Sequence, residues 1–253
     1  MAQLAGKVAI VTGAARGLGR AYAQAMAAEG AAVLACDVNS CDDTVAAIES
    51  AGGRASSAIT DITDMDSCAA MAAAALESFG QINVLVNNAA LYAGLDGARF
   101  EHLEESQWDA VMRVNVKGLW QSCKAVVQPM REAGGGSIIN MASLAALYGL
   151  PYGLDYVASK SAVIGMTRAM ARELGPDRIR VNAVAPSAVM TEGTADFFGE
   201  KLEKAKKVIA AGQVIPRNLE PEDLTGTIVY LASDSSAIVT GQTHMVDGGS
   251  WFL

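Results

Sequence analysis

Histidine and cysteine are scarce in this chain. Its 253 residues include two histidines and four cysteines, with no C-x-x-C pair and no histidine at metal-ligand spacing. A zinc site and a disulfide framework are therefore excluded as first interpretations. A serine hydrolase would need a histidine near its nucleophile, and only His102 and His244 are available. We expect the cysteines to be small core or surface residues in a reducing compartment.

Positive charge and long apolar runs are also lacking. The net charge is -8 and the pI is about 4.8, so the chain has no general attraction for nucleic acid or anionic membranes. No apolar run approaches the ~18 to 20 residues needed to span a bilayer. The N-terminus lacks the apolar region of a secretory signal. We expect a cytoplasmic, metal-free protein that binds neither nucleic acid nor membrane.

Short apolar, β-branched runs alternate with helical patterns along the whole chain. Strands are predicted at 7–12, 32–37, 54–60, 82–87, 137–141, 179–185 and within 241–249. Six or seven strands alternating with helices favour a single doubly wound parallel sheet with helices on both faces, the Rossmann fold. We expect one dinucleotide-binding domain over 1–253, in which the irregular segment 187–217 forms a lid over the site.

A glycine-rich turn follows the first predicted strand. Gly13, Gly17 and Gly19 are spaced Gly-x-x-x-Gly-x-Gly and lead into a helical pattern. Glycines let the backbone approach a pyrophosphate, and a helix N-terminus offers free N–H groups. The spacing differs from G-x-G-x-x-G, and the motif alone is weak. The strand before it and the helix after it favour a dinucleotide site.

Two residues near this turn bear on the choice of nucleotide. Asp37 ends the second strand, where a carboxylate would accept the ribose hydroxyls and repel a 2′-phosphate. Arg16, inside the glycine turn, is the competing signal because it could hold a phosphate, although a solvated loop residue is the simpler interpretation. We give Asp37 more weight and expect NAD. Asp61 and Ile62 follow the third strand, at the edge where ligands bind in open sheets.

A serine, a tyrosine and a lysine form the strongest catalytic candidate. Tyr156 and Lys160 are one helical turn apart and share a face. An ammonium near a phenol favours the phenolate, so we expect Lys160 to lower the Tyr156 pKa from its usual value of about 10. Ser143, on the preceding loop, could hydrogen-bond the reacting oxygen. Taken alone, such residues are most often a buried tyrosine, a solvated lysine and a loop serine. Asn115, on an apolar helix predicted at 104–131, needs a buried partner.

Together these residues resemble the short-chain dehydrogenase/reductase family over nearly the whole chain. The resemblance rests on Thr12-Gly13-x-x-x-Gly17-x-Gly19, Asp61, Asn87-Asn88-Ala89, Asn115, Ser143, Tyr156-x-x-x-Lys160, Pro186 and Val246-Asp247-Gly248-Gly249. It implies a catalytic tetrad in which Tyr156 is the general acid/base and Ser143 polarises the substrate oxygen. Lys160 would bind the nicotinamide ribose, and Asn115 would position a water linking Lys160 to solvent. We expect cofactor contacts at Gly13, Arg16, Gly17, Leu18, Gly19, Asp37, Asp61, Ile62, Asn88, Ala89, Tyr156, Lys160, Pro186, Val189 and Thr191.

The substrate side departs from the family pattern at two positions, since Ala90 and Ser187 stand where glycine is common. We expect the substrate to contact Tyr92, Ser143, Ala145, Tyr148, Tyr152 and Ser187. These walls are apolar with phenolic tips, and no arginine is placed to pair with a carboxylate. The implied activity is NAD-dependent hydride transfer with a hydrophobic secondary alcohol or ketone, alicyclic or aromatic. The family resemblance also implies a homotetramer.

Other activities stay open from the sequence. A 3-oxoacyl thioester reductase, a sugar or polyol dehydrogenase, and a redox-neutral NAD-dependent epimerase use the same motifs. A non-catalytic NAD-binding regulator often lacks the tyrosine or the lysine, and both are present here. NADH absorbance after substrate is added distinguishes an epimerase from a dehydrogenase. A redox-neutral reaction leaves the amount of NADH, and hence its absorbance, unchanged.

Overall fold

The computed structural model describes residues 2–252, which contain a seven-stranded parallel sheet. The strand order is β3-β2-β1-β4-β5-β6-β7, and all neighbours pair in parallel. The strands are β1 Val8–Thr12, β2 Ala32–Asp37, β3 Arg54–Ile59, β4 Val84–Asn87, β5 Gly136–Met141, β6 Ile179–Pro186 and β7 Thr243–Val246. The predicted doubly wound parallel sheet is therefore confirmed. It has seven strands, where six or seven were expected.

Helices cover both faces of this sheet. In chain order they are α1 Gly17–Ala28, α2 Asp42–Ser50, α3 Met65–Phe79, α4 Glu105–Met112, α5 Leu119–Glu132, α6 Ala145–Tyr148, α7 Leu154–Leu174, α8 Glu192–Phe198, α9 Leu202–Ala211 and α10 Glu222–Ala232. Helices α1, α2 and α10 contribute to one apolar cluster, and α3, α5 and α7 contribute to the other. Among residues 2–252, none of the helices is long and apolar enough to cross a membrane.

Alternating residues of the strands divide the core between the two faces. Along β1, Ala9 and Val11 belong to the cluster beneath α1 and α10, whereas Ile10 belongs to the cluster on the opposite face. All three side chains are fully buried. Because successive side chains point to opposite faces, a strand covered on both sides must be apolar at every position. This is the physical reason that central strands such as β1 and β2 appear in the sequence as apolar runs, whereas the edge strand β3 is partly exposed and contains polar residues.

Local signals set the ends of the best-predicted helix. The Asp64 side chain caps α3 by accepting a hydrogen bond from the N–H of Asp66 at 3.2 Å. Gly80 ends the helix in the left-handed conformation, with φ of 84°. The alanine-rich sequence over 65–79 predicts a helix, and the observed bounds, Met65–Phe79, are the same.

The predicted helix over 104–131 is wrong in one respect, because it is not a continuous α-helix. Between α4 and α5, residues Arg113–Gly118 form a π-helical turn that carries Asn115. A π turn accommodates one extra residue and changes the direction of the side chains that it carries. The hydropathy pattern does not register this turn, since α4 and α5 are both amphipathic. The four-residue helix α6, directly after Ser143, was also not expected.

Candidate active site

The candidate site lies where the strand order reverses. Strands β1 and β4 are neighbours at the centre of the sheet, and β1 leads to one half while β4 leads to the other. Connections from their carboxyl ends diverge and leave a crevice, which is where doubly wound sheets bind ligands. The glycine-rich turn follows β1, and Asn88 follows β4. The fold therefore brings the predicted cofactor residues to one edge.

Gly19 is required by the close packing of the glycine-rich turn. A Cβ atom at Gly19 would lie 2.0 Å from the carbonyl oxygen of Gly13 and 2.7 Å from Nδ2 of Asn88. Gly13 itself has a φ of 67°, and Gly17 has a φ of 56°, a region that side chains disfavour. No side chain can replace hydrogen at these positions without moving the turn. The turn thus exposes backbone at the N-terminus of α1.

Thr12 and Asn88 hold this turn in place. Thr12 Oγ1 accepts hydrogen bonds from the N–H groups of Asn88 and Ala89, both at 3.1 Å. The Asn88 amide donates to the carbonyl oxygens of Thr12 and Gly13 at 3.0 and 3.1 Å. Both amide hydrogens of Asn88 are therefore committed to the backbone of the turn. Thr12 begins the family motif found in the sequence, although it was not among the expected cofactor contacts.

Asp37 forms one wall of a cleft beside the turn. Its carboxylate accepts hydrogen bonds from the N–H of Ala15 at 3.2 Å and of Asn39 at 3.0 Å. The cleft has a volume of about 260 Å³ and includes the predicted residues Gly13, Asp37, Asp61, Ile62 and Ala89. Further residues line it that were not predicted: Thr12, Cys36, Val38, Thr60, Thr63, Ala90, Leu91 and Val114. The apolar walls and the carboxylate at the rim fit an adenosine.

Arg16 and Leu18, also predicted as cofactor contacts, differ in their surroundings. Arg16 Nη1 donates to Asp196 Oδ2 at 3.1 Å, and both side chains are about half exposed. The Arg16 guanidinium is thus paired with Asp196, so it is neither a purely solvated loop group nor a partner of Asp37. Leu18 packs against the core beneath α1 and supports the turn from below.

Pro186, Val189 and Thr191 connect the end of β6 to α8. The carbonyl of Pro186 accepts a hydrogen bond from the N–H of Leu144 at 2.9 Å, which ties this strand end to the loop carrying Ser143. Val189 is buried and pairs with Leu219 in an isolated bridge. Thr191 caps α8, and its side chain lies opposite Gly17. Thr191 therefore places the start of α8 against the glycine-rich turn.

Ser143, Tyr156 and Lys160 converge next to this crevice. Ser143 follows β5, while Tyr156 and Lys160 lie in the first two turns of α7. Lys160 is buried, its Nζ donates to the carbonyl of Met141 at 2.7 Å, and it lies 5.8 Å from the centre of the Tyr156 ring. The Ser143 side chain lies near enough to the Tyr156 hydroxyl to lower its pKa by hydrogen bonding. A serine, a phenol and an ammonium thus share one small volume.

The expectation that Lys160 lowers the pKa of Tyr156 is wrong. Burial raises the pKa of Tyr156, and the hydrogen bond with Ser143 opposes this only in part. Burial also lowers the pKa of Lys160 to about 8. Desolvation disfavours both charged forms, and at this separation it exceeds the attraction between ammonium and phenolate. Tyr156 is therefore a neutral phenol at neutral pH.

Asn115 is held by hydrogen bonds in the π-helical turn. Its Oδ1 accepts from the N–H of Leu91 at 2.7 Å, and its Nδ2 donates to the Leu91 carbonyl at 3.1 Å and to Ser159 Oγ at 3.1 Å. Ser159 Oγ in turn donates to the carbonyl of Tyr156 at 2.8 Å. Asn115 therefore links the loop after β4 to the helix that carries Tyr156 and Lys160. Ser159 was missed, because no sequence pattern distinguishes it from other helical serines.

Aromatic rings form the substrate side of the site. The Tyr92 ring lies 5.4 Å from that of Tyr156 and stacks on Phe197 at 4.9 Å with an interplanar angle of 16°. Burial raises the pKa of Tyr92, and a hydrogen bond with Thr194 opposes this rise. Phe197 belongs to the 187–217 segment, so the stack joins that segment to Tyr156. The stack depends on a contact between distant parts of the chain.

The other predicted substrate residues are placed less uniformly. Ala145 is buried at the start of α6, and Tyr148 at its end is 45% exposed. Tyr152 is 65% exposed and has a positive φ of 64°, with its carbonyl accepting the N–H of Ala98 at 3.2 Å. Tyr152 is therefore an exposed residue at the edge of the candidate substrate site, and its ring is not part of the aromatic stack. Ser187 Oγ accepts a hydrogen bond from Nε2 of the buried Gln213 at 3.1 Å.

Comparisons with known proteins agree with a Rossmann-type fold. A family model described as enoyl-(acyl carrier protein) reductase matches residues 13–250. The 3-oxoacyl-(acyl-carrier-protein) reductase FabG of Thermotoga maritima is 39% identical over 250 residues, covering 98% of each chain. D-threitol dehydrogenase of Mycolicibacterium smegmatis is also 39% identical over 250 residues, covering 98% of this chain and 94% of its own.

A solved structure extends this agreement to three dimensions. Carveol dehydrogenase from Mycobacterium avium, in complex with NAD, matches with a TM-score of 0.93 and 31% identity, covering 99% of each chain. The chain belongs to the short-chain dehydrogenase/reductase family of oxidoreductases.

Proposed function

We propose that this protein is an NAD-dependent oxidoreductase that interconverts a hydrophobic secondary alcohol and its ketone, with Tyr156 as the general acid/base. The proposal rests on the convergence of Ser143, Tyr156 and Lys160 beside the nucleotide crevice. Asn115 is hydrogen-bonded to Ser159 on the helix that carries Tyr156 and Lys160. When bound, a nicotinamide cofactor supplies the hydride acceptor or donor. The protein supplies position and proton handling.

Proton handling follows from the burial of Tyr156. Its neutral phenol can donate a proton to a carbonyl oxygen as that oxygen gains negative charge during reduction. Ser143 offers a second hydrogen bond to the same oxygen, and the nearby Lys160 ammonium stabilises the phenolate that forms. In the oxidation direction Tyr156 must first lose its proton to solvent, and the resulting phenolate, stabilised by the Lys160 ammonium, accepts the proton of the alcohol. The buried Lys160, held on the carbonyl of Met141, keeps its charge close to the ring.

The residues of the crevice fit a dinucleotide. The turn at Gly13, Gly17 and Gly19 presents backbone at the N-terminus of α1, where a pyrophosphate is stabilised by free N–H groups and the helix dipole. Asp37 would accept the adenosine ribose hydroxyls, which favours NAD over NADP. The carveol dehydrogenase structure, solved with NAD, supports the same choice.

The aromatic stack supports a hydrophobic substrate. Tyr92, Phe197 and Tyr156 form a continuous ring surface next to the reacting hydroxyl, and such surfaces favour flat or alicyclic apolar groups. The 187–217 segment, which supplies Phe197, would act as the lid of this pocket.

A polar substrate is the second candidate. Gln213 Oε1 is buried and has no hydrogen-bond partner among residues 2–252, while its Nε2 is bonded to Ser187. Ser187 directly follows β6, at a position where the family commonly has glycine. It favours a polyol or an oxoacyl thioester, the substrate types named for the threitol dehydrogenase and FabG relatives.

Oxidation rates with NAD and NADP across alicyclic, aromatic, polyol and hydroxyacyl substrates test the proposal. We expect Tyr156→Phe to lower kcat by about 10²- to 10⁴-fold, the usual contribution of a general acid/base. Tyr230→Phe, on the outer helix α10, is the matched control and should retain activity. Near-normal turnover by Tyr156→Phe would refute the proton-transfer role. A reaction without change in NADH absorbance would instead indicate the epimerase alternative.

We also propose a homotetramer located in the cytoplasm. Large apolar side chains are exposed on this protomer, among them Trp120 at 46%, Trp251 at 43% and Phe252 at 76%. Their burial between subunits would be favourable. Sedimentation velocity at micromolar concentration tests this, and a monomer would refute it.

A further inference from the structure

Arg16 belongs to the glycine-rich turn beside the adenosine end of the crevice, and its side chain is paired with the 187–217 segment. Its extended backbone caps α1, and its Nη1 donates to Asp196 Oδ2 at 3.1 Å. Asp196 lies in α8, 180 positions away along the chain. Nothing in the local sequence of the glycine-rich turn indicates this pairing.

Asp37 lies immediately beside this arginine. The N–H of Ala15, the residue before Arg16, donates to Asp37 Oδ2 at 3.2 Å. The Asp37 carboxylate therefore lines the adenosine end of the crevice next to the backbone that carries Arg16, while the Arg16 guanidinium is directed to Asp196. These two groups have opposite effects on a 2′-phosphate, because a free guanidinium attracts it and a carboxylate repels it. Which effect prevails depends on whether Arg16 is free to turn toward the nucleotide.

We propose that Asp196 is a cofactor-specificity residue that engages Arg16 and so withholds it from a 2′-phosphate. With the guanidinium engaged, the Asp37 carboxylate determines the choice, and NAD is favoured. This inference rests on the proposed nucleotide-dependent function and extends it to a residue far from the nucleotide motif. Asp196 acts through Arg16 and need not touch the cofactor.

The pair is exposed, so the effect should be modest. Both side chains are about half accessible, and exposed ion pairs are weak and sensitive to salt. We expect Asp196→Asn to tighten NADP⁺ binding by about two- to fivefold at low ionic strength. The NAD⁺ dissociation constant should change by less than about twofold. The gain for NADP⁺ should shrink as salt is added.

Titration calorimetry with NAD⁺, NADP⁺, AMP and adenosine 2′-monophosphate measures this without turnover. Glu200→Gln is the matched control, because Glu200 is exposed in the same segment and forms no ion pair within residues 2–252. It should leave the NADP⁺ to NAD⁺ affinity ratio unchanged. In an Arg16→Ala background, Asp196→Asn should no longer improve the binding of NADP⁺ or adenosine 2′-monophosphate.

Two outcomes overturn the inference. One is an affinity ratio that Asp196→Asn leaves unchanged, and the other is a gain for NADP⁺ that persists without Arg16. In both cases the wild type would still bind NAD⁺, and the proposed function would stand. A wild type that binds neither dinucleotide would refute the proposed function itself, so the two failures are distinguishable.

Discussion

Replacement of Gly19 by alanine sets two physical effects against each other. Gly19 lies in the first turn of α1, where alanine should stabilise the helix by up to about 1 kcal/mol relative to glycine. Against this, the added Cβ would lie 2.0 Å from the carbonyl oxygen of Gly13, whereas ordinary contacts begin at 3.4 Å. The obstacle is backbone, so a side-chain rotation cannot relieve it.

The steric effect should prevail. Relief requires a movement of more than 1 Å in the glycine-rich turn, because 3.4 Å less 2.0 Å leaves 1.4 Å. That movement would also disturb the hydrogen bond from Asn88 to Gly13, now 3.1 Å long. We expect Gly19→Ala to lower the free energy of unfolding by about 1 to 3 kcal/mol, as overpacking usually does. For a chain of this size the melting temperature should fall by roughly 3 to 10 °C.

The assay pairs unfolding with nucleotide titration. Gly226→Ala is the control, since Gly226 is exposed in the middle of α10 and its Cβ would meet no atom within 4 Å. This variant should gain about 0.5 to 1 kcal/mol and bind NADH as the wild type does. Gly19→Ala should bind NADH at least about tenfold more weakly, because the glycine-rich turn that would hold the pyrophosphate is displaced. If Gly19→Ala matched Gly226→Ala in stability and in NADH affinity, the steric argument would be refuted.

Two further predictions concern the buried polar groups. Asn115→Ala should reduce the free energy of unfolding by about 2 to 4 kcal/mol, because three hydrogen bonds are lost and both backbone groups of Leu91 lose a partner. Urea denaturation measures this change, and a loss below about 1 kcal/mol would contradict the prediction. The second prediction concerns pH. Burial lowers the pKa of Lys160 from 10.5 to about 8, so the unfolded chain binds more protons between these values and stability rises with pH in that window. Between pH 8 and 10 the wild type should gain about 2 to 3 kcal/mol relative to Lys160→Met, and parallel profiles for the two proteins would disprove the assigned cause.

Much of the fold could be predicted because its signals are local. The central strands are buried on both faces and therefore appear as continuous apolar runs, as residues 8–12 illustrate. The bounds of α3 follow from a capping aspartate and a terminal glycine. The glycine spacing and the Tyr156 to Lys160 interval were likewise visible, because residues close in the chain are close in space.

The remainder could not be predicted because it depends on contacts between distant segments. The π-helical turn at Asn115 does not alter the hydropathy pattern that reveals a helix. The Tyr156 pKa has the opposite direction to that expected, because sequence spacing reveals a neighbouring charge and does not reveal desolvation. Pairings such as Gln213 with Ser187 are equally non-local.

For this protein, the order of residues by itself determined the parallel sheet, the nucleotide turn and the candidate acid/base. These depend on periodicity, glycine conformation and helical spacing, which are properties of short segments. Tertiary structure alone decided how the groups are tuned: which charges are buried, which rings stack on Tyr156, and which carboxylate engages Arg16. The reason is that desolvation and ion pairing depend on distances in space, and the fold sets those distances.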